Sequence, residues 1–287
     1  MADAVPIADD DGLQTLDEAQ LTQMRGLDRA LLAAARQCGA REVGYPALSR
    51  VGSLGRIDYF RSFPHLGLAV AALRNDKAAA LATQPAGTDD ALGADDLAAP
   101  RYFLPSAACY PVYEQLRDRQ LTGAECITTV QRCFRNEDHF EGLARLLAFT
   151  MREIVMVGTQ AQVREFLAER KGWVQHVALG MGLDLVVQAA TDPFFEADGP
   201  RARMQQLFPV KEEFVFEGSV AVSSLNFHRN FFGERWNIRT LDGGFAFSGC
   251  VAFGLERWLH ALARRWQGDA GVILDALDCC PIDEAPA

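Results

Sequence analysis

The chain has 287 residues, of which 49% are hydrophobic and 23% charged, and its formal net charge at pH 7 is -10. This length allows one large hydrophobic core or at most two domains, and no apolar run is long enough to cross a bilayer. The acidic balance argues against a broad nucleic-acid surface, which would need clustered Lys and Arg.

The seven cysteines are scattered along the chain, and no two of them form a CxxC pair. This excludes a zinc ribbon and a thioredoxin-like redox motif, and it favours the reduced thiols of a cytosolic protein. No charged-then-apolar leader opens the chain. We therefore expect a cytoplasmic protein with no membrane partner, in which any metal site is assembled from distant cysteines.

The first hundred residues predict one helix and one long loop. The acidic residues 1–15 are predicted to be disordered, and leucines at three- and four-residue spacings predict an amphipathic helix over 16–38. Residues 78–100 are rich in Ala, Asp and Gly and are predicted to form a loop or insertion. We predict one folded domain over 16–275 and a C-terminal tail over 276–287.

From residue 101 onward, short apolar strands alternate with polar turns. A helix is predicted after Thr159, whose hydroxyl can cap it while Gln162 reaches back, and another over 254–266. Several successive strands flanked by helices indicate an α+β fold with a mainly antiparallel sheet. The absence of βαβ alternation and of GxGxxG argues against a Rossmann fold. The predicted strands are 126–137, 145–157, 213–224, 235–240 and 244–253.

The hairpin predicted over 126–157 collects charged and aromatic side chains on one face. Strand side chains alternate between faces, so Cys133, Arg135 and Glu137 share one face of the first strand. Arg145, Phe149, Met151 and Glu153 share a face of the return strand. If the strands pair about the loop 138–144, they form a candidate nucleotide site; ordinary cross-strand ion pairs on a solvated surface are the alternative.

A second arginine, Arg257, follows a strand that enters a helix through Gly249 and Gly254. Glycines allow close approach of the backbone, and a planar, permanently charged guanidinium suits a phosphate ligand. The alternative for Arg257 is a surface contact at the start of a helix. Two arginines in such settings are what binding of a triphosphate requires.

Together these segments resemble the motifs of class II aminoacyl-tRNA synthetases in their seryl-type form. Phe134-Arg135-Asn136-Glu137 with Arg145 and Phe149 resembles motif 2, and the run from Gly249 to Arg257 resembles motif 3. The run from Pro105 to Pro111 resembles the seryl-type substrate loop, and the run from Ser223 to His228 resembles the strand that precedes motif 3. The resemblance implies a class II synthetase-like catalytic domain, an antiparallel sheet flanked by helices.

The resemblance also implies roles for individual residues. Arg135 and Arg257 are the implied catalytic residues, which neutralise charge on the phosphates of ATP together with Mg²⁺. Glu137 is expected on the adenine side, Phe149 stacked on the base and Arg145 at the terminal phosphates. The implied substrate residues are Ser106, Ala107, Lys211, Glu213, Asn226 and His228.

Features that depart from the synthetases point to one branch of the superfamily. The segment before the catalytic region is short and the loop 138–144 is small, so we expect that tRNA is not the acceptor. The chain is most similar to the amino acid:[carrier protein] ligases, truncated relatives of archaeal-type seryl-tRNA synthetases. In that family a zinc ion is held by Cys, Glu and Cys, and the matching residues are Cys109, Glu153 and Cys250.

Two thiolates and a carboxylate leave a fourth tetrahedral position open for a substrate amine. Each cysteine could instead be a small buried hydrophobe, and Glu153 could form an ion pair with Arg152 or Arg145. The resemblance implies ATP-dependent activation of glycine or alanine as an aminoacyl-adenylate. The acceptor would be the phosphopantetheine thiol of an acyl or peptidyl carrier protein, and the enzyme a homodimer. Two alternatives remain: a tRNA-linked seryl-type paralogue and a catalytically silent protein that binds amino acid or nucleotide.

Overall fold

The computed structural model describes residues 11–83 and 92–278. Helices cover both faces of a central sheet and also form the last segment described. In chain order the helices are α1 (Glu18–Gln37), α2 (Val51–Arg56), α3 (Tyr59–Ser62), α4 (Asn75–Ala82), α5 (Tyr110–Gln115), α6 (Gln160–Gly180), α7 (Pro200–Leu207), α8 (Phe231–Trp236), α9 (Leu255–Arg265) and α10 (Ala270–Asp278).

The described strands form one large and one small sheet. In chain order they are β1 (Arg41–Glu42), β2 (Ser49–Arg50), β3 (Ala69–Val70), β4 (Tyr102–Phe103), β5 (Glu125–Phe134), β6 (Ala148–Gly158), β7 (Val186–Ala189), β8 (Lys211–Phe216), β9 (Val220–Arg229) and β10 (Phe247–Gly254). The large sheet has the order β1-β5-β6-β10-β9-β8-β7, and β2, β4 and β3 form the small one. Only the β1–β5 pair of the large sheet is parallel.

Alternation along the strands divides the core into two layers. On β6 and β10, Ile154, Val251 and Phe253 pack under α1, α6, α9 and α10. On the opposite face Val155 and Val157 pack against α2, α3, α5 and α8. Because helices cover only part of this second face, the remaining part stays open for a ligand.

The predicted N-terminal and central helices are confirmed, together with the chemistry of their first turns. α1 begins after Asp17, whose carboxylate accepts from Gln20 N at 2.8 Å while the Gln20 side chain accepts from Asp17 N. Thr159 and Gln162 form the predicted capping box before α6, with Thr159 N donating to Gln162 Oε1 at 2.9 Å. Each box satisfies backbone amides that have no partner inside the helix.

Two strand predictions are wrong. The single strand expected over 213–224 is a hairpin, because the chain reverses at Glu217 and Gly218, which have φ of 46° and 77°. The strand expected over 235–240 begins inside α8. That helix ends at Trp236, and the capping residue Asn237 takes a left-handed conformation with φ of 51°. Arg239 then forms isolated bridges with Gln120 and Phe245 in place of a strand. Alternating apolar residues suggested a strand where an asparagine in fact ends a helix.

The predicted loops and termini are described in part. α4 covers the first residues of the predicted loop 78–100, and Ala94–Asp96 form a 3₁₀ turn near its end. Gly12 lies within the predicted disordered segment, yet its carbonyl accepts from Leu147 N at 2.9 Å. Residues 1–10, 84–91 and 279–287, including Cys279 and Cys280, lie outside the described residues. None of the helices that the structure describes has the length and hydropathy to span a membrane.

A buried ion cluster attaches the first helix to the middle of the sheet. Arg152 on β6 has a side chain only 1% exposed, and its guanidinium bonds Asp28 of α1 at 2.5 and 3.0 Å. It also bonds Glu42 of β1 at 3.1 Å and the Thr128 hydroxyl of β5 at 3.1 Å. Segments α1, β1, β5 and β6 therefore meet at one guanidinium, which is almost fully buried.

We predict that Asp28→Ala lowers the free energy of unfolding by about 3 kcal/mol, because it removes one of two carboxylates from a buried cation. Urea denaturation measures this loss. Arg41→Ala is the control, since Arg41 pairs with Glu125 at 3.4 Å on a surface where the two side chains are 45% and 35% exposed. That exposed pair should contribute less than about 1 kcal/mol. Equal effects of the two substitutions would contradict the proposed importance of the buried cluster.

Candidate active site

The candidate site lies on the open part of the second sheet face, and strand register brings its residues together. Directly paired residues of an antiparallel sheet point to the same side. Glu153 on β6 lies opposite Ala252 on β10, which lies opposite Ser224 on β9 and, beyond it, Glu213 on β8. A second row of paired residues lies two positions further along the strands and consists of Cys250, Asn226 and Lys211. Five predicted site residues thus share one face of four adjacent strands, β6, β10, β9 and β8.

Arg135 and Arg257 line one cleft, together with Glu137, Phe149 and Glu213. Arg135 Nε donates to the Ser106 carbonyl at 3.1 Å, and its guanidinium carbon lies 5.2 Å from the centre of the Phe149 ring. Arg257 donates to the carbonyls of Ala144 and Ala221 at 2.8 and 3.0 Å. These contacts fix the direction of each guanidinium and leave further N–H groups on both.

Arg135 and Arg257 differ from Arg145, the third predicted arginine, because only Arg145 is paired with a carboxylate among the described residues. Arg145 forms an ion pair with Glu137. Among the described residues, neither Arg135 nor Arg257 has a carboxylate within ion-pair distance. Burial, and next the charge of Arg135, lower the pKa of Arg257. A cleft that holds two cations without a directly paired carboxylate is suited to bind an anion such as a phosphate chain.

The predicted metal ligands converge although they come from three distant stretches. The sulfur atoms of Cys109 and Cys250 and a carboxylate oxygen of Glu153 all lie within 4.8 Å of one another, and all three residues are buried. Glu153 Oε1 accepts from the backbone amides of Ala108 and Cys109 at 2.9 and 3.2 Å. These amides orient the carboxylate, and within the described part of the chain no backbone amide donates to its second oxygen.

The ion-pair alternative for Glu153 does not occur. Arg152 points to the other face of the sheet, into the Asp28 cluster, and Arg145 pairs with Glu137 instead. A hydrogen bond with Cys250 acts to lower the pKa of Cys109, but burial and the Glu153 carboxylate outweigh it, so the pKa is raised. The pKa of Cys250 is raised well above its usual range by Cys109, burial and Glu153. Without a cation, both cysteines are therefore thiols at pH 7.

The predicted substrate loop connects the two halves of the site. Its Ser106 carbonyl accepts from Arg135, and its next residues, Ala107 and Ala108, lead to Cys109. Asn226 and His228 lie on the other side of the trio. Asn226 Nδ2 is 3.5 Å and His228 Nε2 is 3.8 Å from Cys250 Sγ. Burial lowers the pKa of His228 to about 4, so its ring is neutral at pH 7.

Lys211 and Glu213 line the same cleft as the arginines and pair with each other at 3.0 Å. Lys211 also binds Asp192 at 3.3 Å, and Asp192 exchanges hydrogen bonds with Gln205 of α7. Burial acts to raise the pKa of Asp192, but Lys211 and Gln205 outweigh it and the pKa is lowered. Asp192 and Gln205 were not predicted as site residues, because they lie in a segment without a recognisable motif.

Two further residues of the site were not assigned roles from the sequence. Glu256, which directly precedes Arg257, is 2% exposed and accepts from Thr150 N at 2.7 Å and from Arg132 Nη1 at 3.2 Å. The hydroxyl of Tyr113, one turn after Cys109, lies 3.1 Å from His228 Nδ1. The position of Glu256 within the motif 3 resemblance was the available signal for it, whereas Tyr113 had none.

Sequence comparison finds several related proteins, two of which match most of the chain. No protein-family model matches the chain. It is 34% identical over 252 residues to "Amino acid--[acyl-carrier-protein] ligase 1" of Bradyrhizobium diazoefficiens. The aligned region covers 81% of this chain and 74% of that protein. It is 32% identical over 252 residues to "Amino acid--[acyl-carrier-protein] ligase 2" of the same organism, covering 81% and 72%.

Structure comparison identifies the fold. The chain superposes on the M. kandleri SerRS, solved in complex with A. aeolicus tRNASec, with a TM-score of 0.76 and 21% sequence identity. The match covers 96% of this chain and 59% of that one. The predicted fold, a class II synthetase-like catalytic domain with an antiparallel sheet flanked by helices, is thereby confirmed.

Proposed function

The chain belongs to the family of the amino acid--[acyl-carrier-protein] ligases, and we propose that it activates glycine or alanine with ATP and transfers the aminoacyl group to a carrier protein. The observation that carries this proposal is the placement of two guanidiniums without directly paired carboxylates beside a buried Cys-Glu-Cys trio on one sheet face. The first feature suits a phosphate chain, and the second suits a metal that holds an amine.

In the activation step, a carboxylate oxygen of the amino acid attacks the α-phosphorus of ATP, and the bond to pyrophosphate breaks. Arg135 would hold the α-phosphate, Arg257 would stabilise the charge that develops on the phosphates, and Arg145 would reach the terminal ones. The Mg²⁺ that accompanies ATP would supply further positive charge. Phe149, which lies against Arg135, offers a ring on which adenine can stack beside Glu137.

The trio of Cys109, Glu153 and Cys250 fits a zinc ion. Two sulfurs and one carboxylate oxygen are the donors that zinc prefers, and three ligands leave one tetrahedral position free. A bound zinc ion would supply that position to the substrate amine. The backbone amides of Ala108 and Cys109 orient Glu153 for this role, as outer-shell partners do in metal sites.

In the transfer step, the phosphopantetheine sulfur attacks the carbonyl carbon of the aminoacyl-adenylate. The bond between this carbon and the phosphate oxygen breaks, AMP leaves, and the proton of the thiol passes to solvent. We assign no nucleophilic side chain, since the thiol comes from the carrier. We expect the enzyme to work as a cytoplasmic homodimer, a state that light scattering of the purified protein measures.

We predict that the protein attaches radiolabelled glycine or alanine to a carrier that bears phosphopantetheine, and that the carrier without this group stays unlabelled. The label is read on denaturing gels. The fold likeness to a seryl-tRNA synthetase makes tRNA the second candidate acceptor, so total tRNA is assayed beside the carrier. Label on tRNA alone would favour a seryl-type paralogue. No amino-acid-dependent pyrophosphate exchange with glycine, alanine or serine would favour a silent binding protein.

We predict that Arg257→Met lowers amino-acid-dependent pyrophosphate exchange about 100-fold or more, because it removes a preorganised charge from the phosphate site. Arg264→Met is the matched control on the same helix. Arg264 is 62% exposed and pairs with Glu217 at 3.2 Å. Exchange should be unchanged in that variant. If both variants were equally active, Arg257 would have no part in nucleotide activation.

We predict that the purified protein contains about one zinc ion per chain and that Cys109→Ala, Glu153→Ala and Cys250→Ala each lose it. Elemental analysis of dialysed samples measures the metal. Cys133→Ala is the control, because Cys133 is equally buried on the neighbouring strand but is not part of the trio. Zinc retained in all three ligand variants would rule out this site.

A further inference from the structure

His228 lies next to the sulfur of Cys250, and its two ring nitrogens have different surroundings. Nε2 lies 3.8 Å from Cys250 Sγ. Nδ1 lies 3.1 Å from the Tyr113 hydroxyl and 3.2 Å from the Ser248 hydroxyl. One nitrogen therefore faces a sulfur, and the other faces two groups that can each donate a proton.

The surrounding packing holds these hydroxyls in place. The Tyr113 ring is stacked on Phe232, with centroids 3.8 Å apart and planes inclined by 6°, and Phe232 also meets the edge of His228 at 5.1 Å. Tyr113 is fully buried and Ser248 is 1% exposed. Because neither hydroxyl is free to turn to bulk water, both are directed to partners inside this cluster.

A thiolate that ligates a metal has no proton and only accepts hydrogen bonds. If Nδ1 carried the proton of the imidazole, the lone pair of Nε2 would face the negative sulfur. If Nε2 carries it, the ring donates to the sulfur and Nδ1 accepts from Tyr113 or Ser248. Every contact is then favourable, so the geometry selects this tautomer once Cys250 is a thiolate.

We propose that His228 is a positioning residue for the metal centre, which donates its Nε2 proton to the thiolate of Cys250. This inference rests on the proposed zinc site. Asn226 Nδ2, at 3.5 Å, is a second donor to the same sulfur. Among the described residues, no side-chain N–H donates to Cys109 Sγ. The two thiolates are therefore inequivalent, and Cys250 gives less electron density to the metal than Cys109.

The inequivalence has a consequence for the metal itself. Hydrogen bonds to a ligating thiolate withdraw charge from the sulfur and orient it, as outer-shell partners do in other metal sites. A zinc ion bound by one weakened thiolate keeps more of its positive charge for the open position. His228 would thus strengthen binding of the amine without touching the substrate.

The test compares His228→Leu, which removes the donor, with His228→Gln, which keeps an N–H on a side chain of similar reach. Zinc affinity is measured by competition with a chromophoric chelator, and the sulfur-to-metal charge-transfer band is recorded with Co²⁺ in the site. We expect His228→Leu to raise the dissociation constant about 10- to 100-fold and to move the band to longer wavelength. His228→Gln should restore much of both properties.

Long-range ¹H–¹⁵N spectra of the zinc-loaded wild type give the tautomer directly, without any variant. We expect a protonated Nε2 and an unprotonated Nδ1, and the reverse pattern would overturn the proposal. It would also be overturned if His228→Leu kept the wild-type band and zinc affinity. A wild type with no charge-transfer band would instead refute the metal site, and with it this inference. The two failures are therefore distinguishable.

Discussion

Strand β6 lies between β5 and β10, and its register with both neighbours determines which of two adjacent charged residues faces the site. Arg152 points toward α1 and is neutralised by Asp28 and Glu42, whereas Glu153 points to the opposite face and meets the two cysteines. A slip of one residue would exchange them. It would leave Arg152 beside the two cysteines of the proposed metal site and Glu153 against the carboxylates of α1 and β1, so both layers of the structure oppose it.

The same register creates a site with two cations, unpaired among the described residues, at one end and the buried trio of Cys109, Glu153 and Cys250 at the other. Arg135 and Arg257 are directed by backbone carbonyls, which orient a cation without cancelling its charge. The fold thereby keeps two guanidiniums available for a ligand. This is the usual compromise of a functional site, because a carboxylate partner would stabilise the empty protein but compete with the phosphates.

Features that depend on residues close together in the chain could be predicted from the sequence. The capping box of Thr159 and Gln162, the shared face of Phe149 and Glu153 on β6 and the glycine at 249 follow from local patterns. The predicted hairpin is shorter than expected, because β5 ends at Phe134 and β6 begins at Ala148. Arg135, Glu137 and Arg145 therefore lie in the connection between them. A Cβ at Gly249 would lie 2.9 Å from the Asn226 carbonyl, so the predicted close approach is real, whereas Gly254 leaves ordinary contact distances to Arg257. The turn at Gly218 was overlooked because apolar residues continue on both sides of it.

Contacts between residues far apart in the chain could not be predicted from sequence patterns. Cys109, Glu153 and Cys250 have no common spacing, and only the family resemblance grouped them. His228 was predicted as a substrate residue. The positioning role inferred for it depends on its contacts with Tyr113 and Ser248, which are set by how α5 packs over β9 and β10. The helical and strand periodicity of the sequence does not predict how these elements pack together.

The dimensions of the sheet connect the two ends of the site into one binding surface. On β6, Phe149 and Glu153 share a face and are four residues apart, which corresponds to about 14 Å along a strand. The proposed base-stacking ring and the proposed amine-holding metal are therefore separated by roughly the length of an amino acid joined to a nucleotide. Arg135, which contacts Phe149 and the substrate loop, belongs to the interval between them. A ligand anchored at both ends would place its carboxylate and α-phosphate beside that guanidinium, where the proposed bond forms.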